Sequence, residues 1–201
     1  MQKKELIGSL KQQKFSPAII RAFEKVKREN FISKKLKGFA YEDRPLPLER
    51  GQTISQPYTI AFMLTLLELR NKQKILEVGS GSGYVLALIN EISKKSQIYG
   101  IELTKELAER SKKILADKKN IQVFQGDGSK GLAKQAPFDR ILVSAAAEQT
   151  PSKLVKQLKV GGILIIPVKS SILRIQKFIN ENQIKEFPGF SFVPLIENKK
   201  K

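Results

Sequence analysis

Residues Gly51-Gln52-Thr53-Ile54-Ser55-Gln56-Pro57 bring a hydroxyl, an amide and a rigid exit into a helix together in one short segment. They stand before a glycine-rich turn, Gly79-Ser80-Gly81-Ser82-Gly83. Glycines at such a turn let the backbone approach a ligand closely, and the helix that follows offers partial positive charge. Carboxylates punctuate the chain around it at Glu77, Glu102 and Asp127. There is no cysteine and no histidine. Their absence removes thiolate nucleophiles, disulfides, the commonest transition-metal ligand and any Ser-His-Asp triad. The chemistry must come from carboxylates, hydroxyls, amides, lysines and backbone dipoles, and no metal site is expected.

The turn follows a strand and opens a helix, the context a nucleotide-binding turn requires. A dinucleotide site would want glycine where Tyr84 stands. Glu77, at the strand end, would set its charge against a pyrophosphate, whereas a ligand carrying an amino group and a sulfonium suits it. Glu102 ends the next strand about twenty residues on, where an acid accepts both ribose hydroxyls. Asp127, in Gln125-Gly126-Asp127-Gly128, could accept from an adenine amino group. Singly, each acid reads as a helix cap. In this order they look like the S-adenosylmethionine site of the Rossmann-like methyltransferases, with Gly79, Gly81, Gly83 and Gly128 giving close approach and S-adenosylhomocysteine as product.

A methyl donor raises the question of the acceptor. Amine acceptors usually need a polar cradle after the fourth strand, but that position reads Val143-Ser144-Ala145-Ala146-Ala147. Pyrimidine C5 chemistry needs a cysteine, and a phenol or alcohol would want a base or a metal. A carboxylate, with a pKa of about 4, is already ionised and nucleophilic at neutral pH. The protein has only to desolvate it, orient it and hold it in line with the methyl. A floor of small residues at Ala145–Ala147 and one hydroxyl donor would suffice.

The elements that position these groups alternate. Apolar residues at helical spacing (Leu6, Leu10, Ile19, Ile20, Phe23, Val26) predict an N-terminal helical extension, with Ser16-Pro17 as a helix opening. Gly38–Pro57 reads as an extended loop, and Pro57 opens a helix to about Leu69. Predicted strands lie at Lys74–Val78, Gln97–Glu102, Ile121–Gln125, Asp139–Ser144 and Ile163–Val168, the last entered through a Gly161-Gly162 turn. Helices are expected over Tyr84–Lys94, from Thr104, and over Pro151–Leu158. Strands alternating with helices predict an α/β fold, a mainly parallel sheet covered by helices on both faces. Segments near Ile172–Ile179, Gln183–Phe187 and Ser191–Leu195 predict an antiparallel C-terminal edge, and Lys199-Lys200-Lys201 a frayed tail. At 201 residues the chain suits one domain. Within it, 1–57 forms helices and a substrate loop, 58–168 the cofactor core, and 169–201 the C-terminal strands.

The net charge of +18 is the compositional outlier. Residues 1–37 alone hold eleven Lys/Arg against three acids. Phe15, Phe23 and Phe31 are spaced there as buried helix residues rather than as a stacking platform for single strands. The reading is a solvated basic surface, with nucleic acid not expected as a partner. No apolar run is long enough for a signal peptide or a membrane span, so a cytoplasmic location without membrane contact is expected; a monomer is expected separately.

Across nearly its whole length the chain resembles the protein-L-isoaspartate (D-aspartate) O-methyltransferases. The resemblance rests on Ala40-Tyr41-Glu42-Asp43, Leu46-Pro47, Gly51–Pro57, the Gly79–Tyr84 turn, Gly126–Gly128, Ala136-Pro137-Phe138-Asp139, Ala145–Ala147, Gly161-Gly162 and Phe192-Val193-Pro194-Leu195, in order. It implies methyl transfer to the α-carboxylate of isoaspartyl residues in damaged proteins and peptides, after which the ester collapses to a succinimide that hydrolyses partly to aspartate. By position Ser55 is the active-site serine, a donor that orients the carboxylate rather than a nucleophile, although it could instead cap the helix after Pro57. Thr53 and Ile54 match the strip between cofactor and peptide, with Ala145 and Ala146 beside it. Glu49, Arg50, Leu132 and Lys27 depart from the family pattern. Two other readings stay open, an RNA or DNA methyltransferase and a non-catalytic binding protein of the same fold.

Overall fold

The computed structural model describes residues 2–195, and the Lys199–Lys201 tail lies outside them. Helices α1 (Lys3–Gln12) and α2 (Pro17–Lys25) form the N-terminal extension. Ser16 caps α2 by accepting the Ile19 N–H at 3.4 Å, with Pro17 in the first turn. Leu6, Leu10, Ile19, Ile20 and Phe23 are buried, as their spacing predicts. Two short 3-10 turns lead into the stretch that reads as a loop. It holds a small hairpin, β1 (Leu46–Pro47) antiparallel to β2 (Thr53–Ile54), before α3 (Pro57–Leu67). Alternation could not reveal strands of two residues each.

The central sheet then builds in βα units: β3 (Lys74–Val78), α4 (Tyr84–Ile92), β4 (Gln97–Glu102), α5 (Lys105–Ile114) and β5 (Ile121–Gln125). It continues with β6 (Phe138–Val143), α6 (Ser152–Lys156), β7 (Leu158–Val168), β8 (Ser171–Lys177) and β9 (Asn182–Pro188). The strand order is β5-β4-β3-β6-β7-β8-β9, parallel through β7 and antiparallel beyond it. From β3 the chain goes to one side of the sheet and returns through β6 on the other. The crevice above their carboxyl ends is therefore the topological switch point, where open α/β sheets take their ligands.

Period-two alternation divides the core. Ile75, Ile98, Leu142, Ile163 and Ile165 face the cluster that includes α1 to α4, with Ala108 and Leu115 from the α5 side. Leu76, Val78, Tyr99, Ile141, Val143, Leu164 and Ile166 face the opposite cluster, whose helical cover is Leu154 of α6 and the turns around Leu132 and Ala136. Helices flank both faces, but unequally.

Three expectations change. The predicted Pro151–Leu158 helix shortens to α6. Gly161-Gly162 does not turn the chain into a strand but lies within β7 as a bulge. Phe138 faces Leu158 and Arg140 faces Ile163, so residues 159–162 bow out opposite Asp139 alone. Gly161 sits at φ +78°, and a Cβ on Gly162 would lie 2.8 Å from the Lys159 carbonyl oxygen. Ser191–Leu195 forms no strand either; its one bridge is Pro194 to Ala146. A proline without a donor and a short tether leave only two ladder bonds there.

Candidate active site

The strand ends at the switch point line an inner cavity of about 630 Å³, counting the space at its open mouth. Glu77 and Gly79 enter it from β3, Glu102 from β4, and Ser144 and Ala145 from β6, with Ser80, Gly81 and Ser82 of the turn. Leu48, Gln52 and Val193 close it from outside the sheet. Glu102 is 5 % exposed and fully oriented, since Oε2 accepts the Gly81 N–H at 2.8 Å and Oε1 the Thr104 N–H at 2.8 Å. Glu77 is buried more deeply. Its Oε1 accepts from the Ser144 hydroxyl at 2.8 Å, and its Oε2 is buried without a partner. Burial pushes the Glu77 carboxyl up to about 8, opposed by the Ser144 bond and reinforced by the negative charge of Glu102. A buried acceptor atom with no donor, facing such a cavity, is a seat for a cationic, hydrogen-bonding group.

A second cavity of about 370 Å³ adjoins the first and shares Gln52, Gly79, Glu102 and Ala145 with it; Gly128, Leu103, Pro194 and Leu195 complete its wall. On the other side lies an outer cleft of about 660 Å³, lined by Pro45, Thr53, Ser55, Gln56, Thr59, Ser191, Phe192 and Val193. None of these side chains is charged. Thr53 and Ser55 line both the inner cavity and the outer cleft. Val193 lines both spaces as well, so they meet between the Thr53–Ser55 strip and the 191–193 segment. Residues 191–193 stand opposite, tethered where Ala146 N–H donates to the Val193 carbonyl at 2.8 Å and Leu195 N–H to the Ala146 carbonyl at 2.6 Å.

Residues 1–200 match the family model "Protein-L-isoaspartate(D-aspartate) O-methyltransferase (PCMT)". The chain belongs to this family. Among relatives, the protein-L-isoaspartate O-methyltransferase of Ignicoccus hospitalis is 43% identical over 207 aligned positions, covering 98% of each chain. That of Petrotoga mobilis is 46% identical, covering 89% of this chain and 86% of its own. A solved protein-L-isoaspartate O-methyltransferase superimposes with a TM-score of 0.90 at 25% identity, over 98% of this chain and 67% of that one. A putative family member from Plasmodium falciparum, solved with S-adenosyl-L-homocysteine, gives 0.83 at 25% identity over 98% of this chain and all of its own.

Within Gly51–Pro57, Thr53, Ile54 and Ser55 line the inner cavity beside Glu77, Gly79, Gly81, Glu102 and Ala145. Gly128 lines the adjoining cavity. Three predicted site residues lie outside the linings of these two inner spaces. Gly83, at φ +85°, lets α4 approach α5, because a Cβ there would lie 2.8 Å from Leu115 Cδ1 and 3.0 Å from Ser111 Cβ. Ala146 spends its backbone on the 191–195 tether. Asp127 lies outside the cavity linings and accepts from Ser129 N–H at 3.0 Å and the Ser129 hydroxyl at 2.7 Å. Burial would raise its carboxyl, but these bonds and Lys130, 3.4 Å from Oδ2, hold it below the usual range.

Ser55 caps nothing: the first turn of α3 is served by Asp43, whose Oδ1 accepts the Tyr58 N–H at 2.8 Å. That partner is fifteen residues upstream, beyond the reach of local cap patterns. Sequence reasoning also passed over Gln52, Ser80, Ser144 and above all Arg28. Counted with the basic surface, Arg28 is in fact fully buried, at 0 % exposure.

Proposed function

We propose that this chain moves a methyl group from S-adenosylmethionine to the α-carboxylate of L-isoaspartyl residues in damaged proteins and peptides, leaving S-adenosylhomocysteine. The observation that carries the reading is the shared wall: Thr53 and Ser55 front both a carboxylate-lined inner cavity and an uncharged outer cleft. The residues fit the donor. The unpartnered Glu77 Oε2 suits its ammonium group, and Glu102, pinned by two backbone N–H groups, presents its free lone pairs to ribose hydroxyls. Gly79 and Gly81 keep side chains out of the way, while Gly128 and Leu103 line the space suited to the base. When bound, S-adenosylmethionine supplies an electrophilic methyl on a sulfonium. Everything else falls to positioning: the Ser55 hydroxyl donates to the acceptor carboxylate, and Thr53, Ile54 and Ala145 exclude water and set its approach. With the acceptor already ionised, no general base is needed.

The lining of the outer cleft also separates this reading from a nucleic-acid methyltransferase. A chain of net charge +18 places no lysine or arginine there, where phosphates would have to bind. Both spaces are completed by one chain, which supports a monomeric single-domain enzyme over residues 1–201. Among the described residues no helix is long and apolar enough to cross a membrane, and we take the location as cytoplasmic. The test is methyl transfer from labelled S-adenosylmethionine to an isoaspartyl peptide and to its aspartyl twin. Base-labile label is expected on the first alone; equal label on both, or on neither, overturns the assignment.

A further inference from the structure

Residues 40–56 run through the protein with one pair of two-residue strands and a 3-10 turn at Glu49–Gly51 as their only regular structure, so most of their carbonyl groups need donors from elsewhere. Arg28 supplies them. Its Nη1 donates to the carbonyls of Ala40 at 2.9 Å and Glu42 at 3.2 Å. Its Nη2 donates to those of Arg44 at 3.2 Å, Ser55 at 3.0 Å and, at the limit of bonding, Ile54 at 3.5 Å. Among the described residues no carboxylate forms an ion pair with it, so its charge is balanced by carbonyl dipoles and, at longer range, by Asp43.

The planar, rigid fork of a guanidinium fixes its acceptors in one plane, which a lysine ammonium cannot do. Here the plane joins two stretches. One carries Asp43, the cap of α3, between the gripped carbonyls of Glu42 and Arg44. The other is the Ile54-Ser55 strip, which lines the inner cavity and, through Ser55, the outer cleft as well. Pro57 begins α3 two residues later, so the chain around Ser55 is held on both sides. Release of its carbonyl would free rotation of the Ser55 peptide and swing the hydroxyl away from the wall. Misplacement by about 1 Å at a reacting centre costs on the order of a hundredfold in rate.

We propose that Arg28 is a positioning residue for methyl transfer, acting through the carbonyls of Ile54 and Ser55 to aim the Ser55 hydroxyl. This rests on the role of Ser55 given above. The decisive experiment is a double-mutant cycle of Arg28→Lys and Ser55→Ala in the full chain, reading turnover on an isoaspartyl peptide and S-adenosylhomocysteine affinity by calorimetry. Each single variant loses turnover by about 10–100-fold. Affinity for S-adenosylhomocysteine stays within about twofold, and the double variant turns over no more slowly than Ser55→Ala alone. Wild-type turnover in Arg28→Lys, multiplying losses, or a parallel fall in affinity overturns the proposal. Full turnover in Ser55→Ala instead overturns the Ser55 role on which it rests. If Arg28→Lys does not fold, Arg28→Ala refolded with millimolar guanidinium takes its place in the cycle. Recovered turnover then supports the positioning role. A folded but inactive complement, or no folding in either form, makes Arg28 a folding residue and overturns it.

Discussion

The inner cavity and the outer cleft share a wall but are made by opposite means. The inner cavity is built at the ends of parallel strands, where register places Glu77 beside Gly100 and sets Glu77 and Glu102 around one space. Its two carboxylates stand at strand ends and suit a cation. The outer cleft is built from irregular chain, residues 45–56 and 191–193, with Thr59 of α3. Its groups are neutral hydroxyls, one amide, and apolar faces. An anionic acceptor arriving there meets a hydroxyl before it meets a carboxylate. The difference teaches how one small site holds ligands of opposite charge: the negative residues sit on the sheet, and the neutral donors sit on the loops in front of it.

Exchanging the character of one space while leaving the other intact puts this division to the test. Glu77→Gln keeps the Ser144 bond within reach but removes the charge. Loss of a charge-assisted hydrogen bond of about 1.5–3 kcal/mol weakens S-adenosylhomocysteine binding by roughly 10–100-fold. Calorimetry should register that loss while the KM for an isoaspartyl peptide at saturating donor stays near wild type. A comparable rise in the peptide KM would mean that the two spaces are not separate.

A smaller, graded effect comes from pH. Glu77 has an ordinary value of 4.5 and about 8 in the folded ligand-free protein, so between those limits the folded state holds the extra proton. Its contribution to stability is complete below about 4.5 and is lost as pH rises through about 8, with a slope of at most about 1.4 kcal/mol per pH unit. Denaturant titrations of the ligand-free protein should show this decline, and Glu77→Gln should flatten it. Because the donor's cation favours ionised Glu77, binding at pH 7 should expel a proton. Apparent affinity should then rise with pH, up to about tenfold per unit, and level off above about 8. Calorimetry in buffers of different ionisation enthalpy detects that proton; its absence would leave Glu77 outside the ligand's reach.

The smallest effect belongs to the outer cleft. Phe192 stands on the 191–195 segment, held by two backbone bonds to Ala146. Phe192→Ala should raise the peptide KM by about 3–10-fold, the worth of part of an apolar contact, with S-adenosylhomocysteine affinity unchanged. A shift in the second quantity alone would assign this segment to the inner cavity.

Much of the inner cavity was legible in the sequence, because its positions follow from periodicity. The strands Lys74–Val78, Gln97–Glu102 and Ile121–Gln125 appear at their predicted bounds, and each parallel strand ends at the same edge of the sheet. Gly79 and Gly83 look alike in the sequence, and only the packing shows that one opens the cavity while the other admits Leu115. Asp127 looks like a third ligand carboxylate, and only the fold shows that Ser129 takes its Oδ1 while its Oδ2 is buried without a hydrogen-bond partner. The Gly161-Gly162 pair carries the mark of a turn, and only pairing with β6 makes it a bulge.

The sequence by itself determined the reaction class. Without cysteine or histidine, and with an ionised acceptor needing no base, the Gly51–Pro57 segment and the strand-end acids leave a carboxyl methyl transfer as the chemistry that fits. Tertiary structure decided how the acceptor wall is held. Arg28, Asp43 and Ala146 reach it from 27 residues before Ser55, from 15 before Tyr58, and through a bridge to Pro194. No local pattern encodes such contacts, because they satisfy the backbone of irregular chain, and irregular chain acquires its partners only when the fold closes around it.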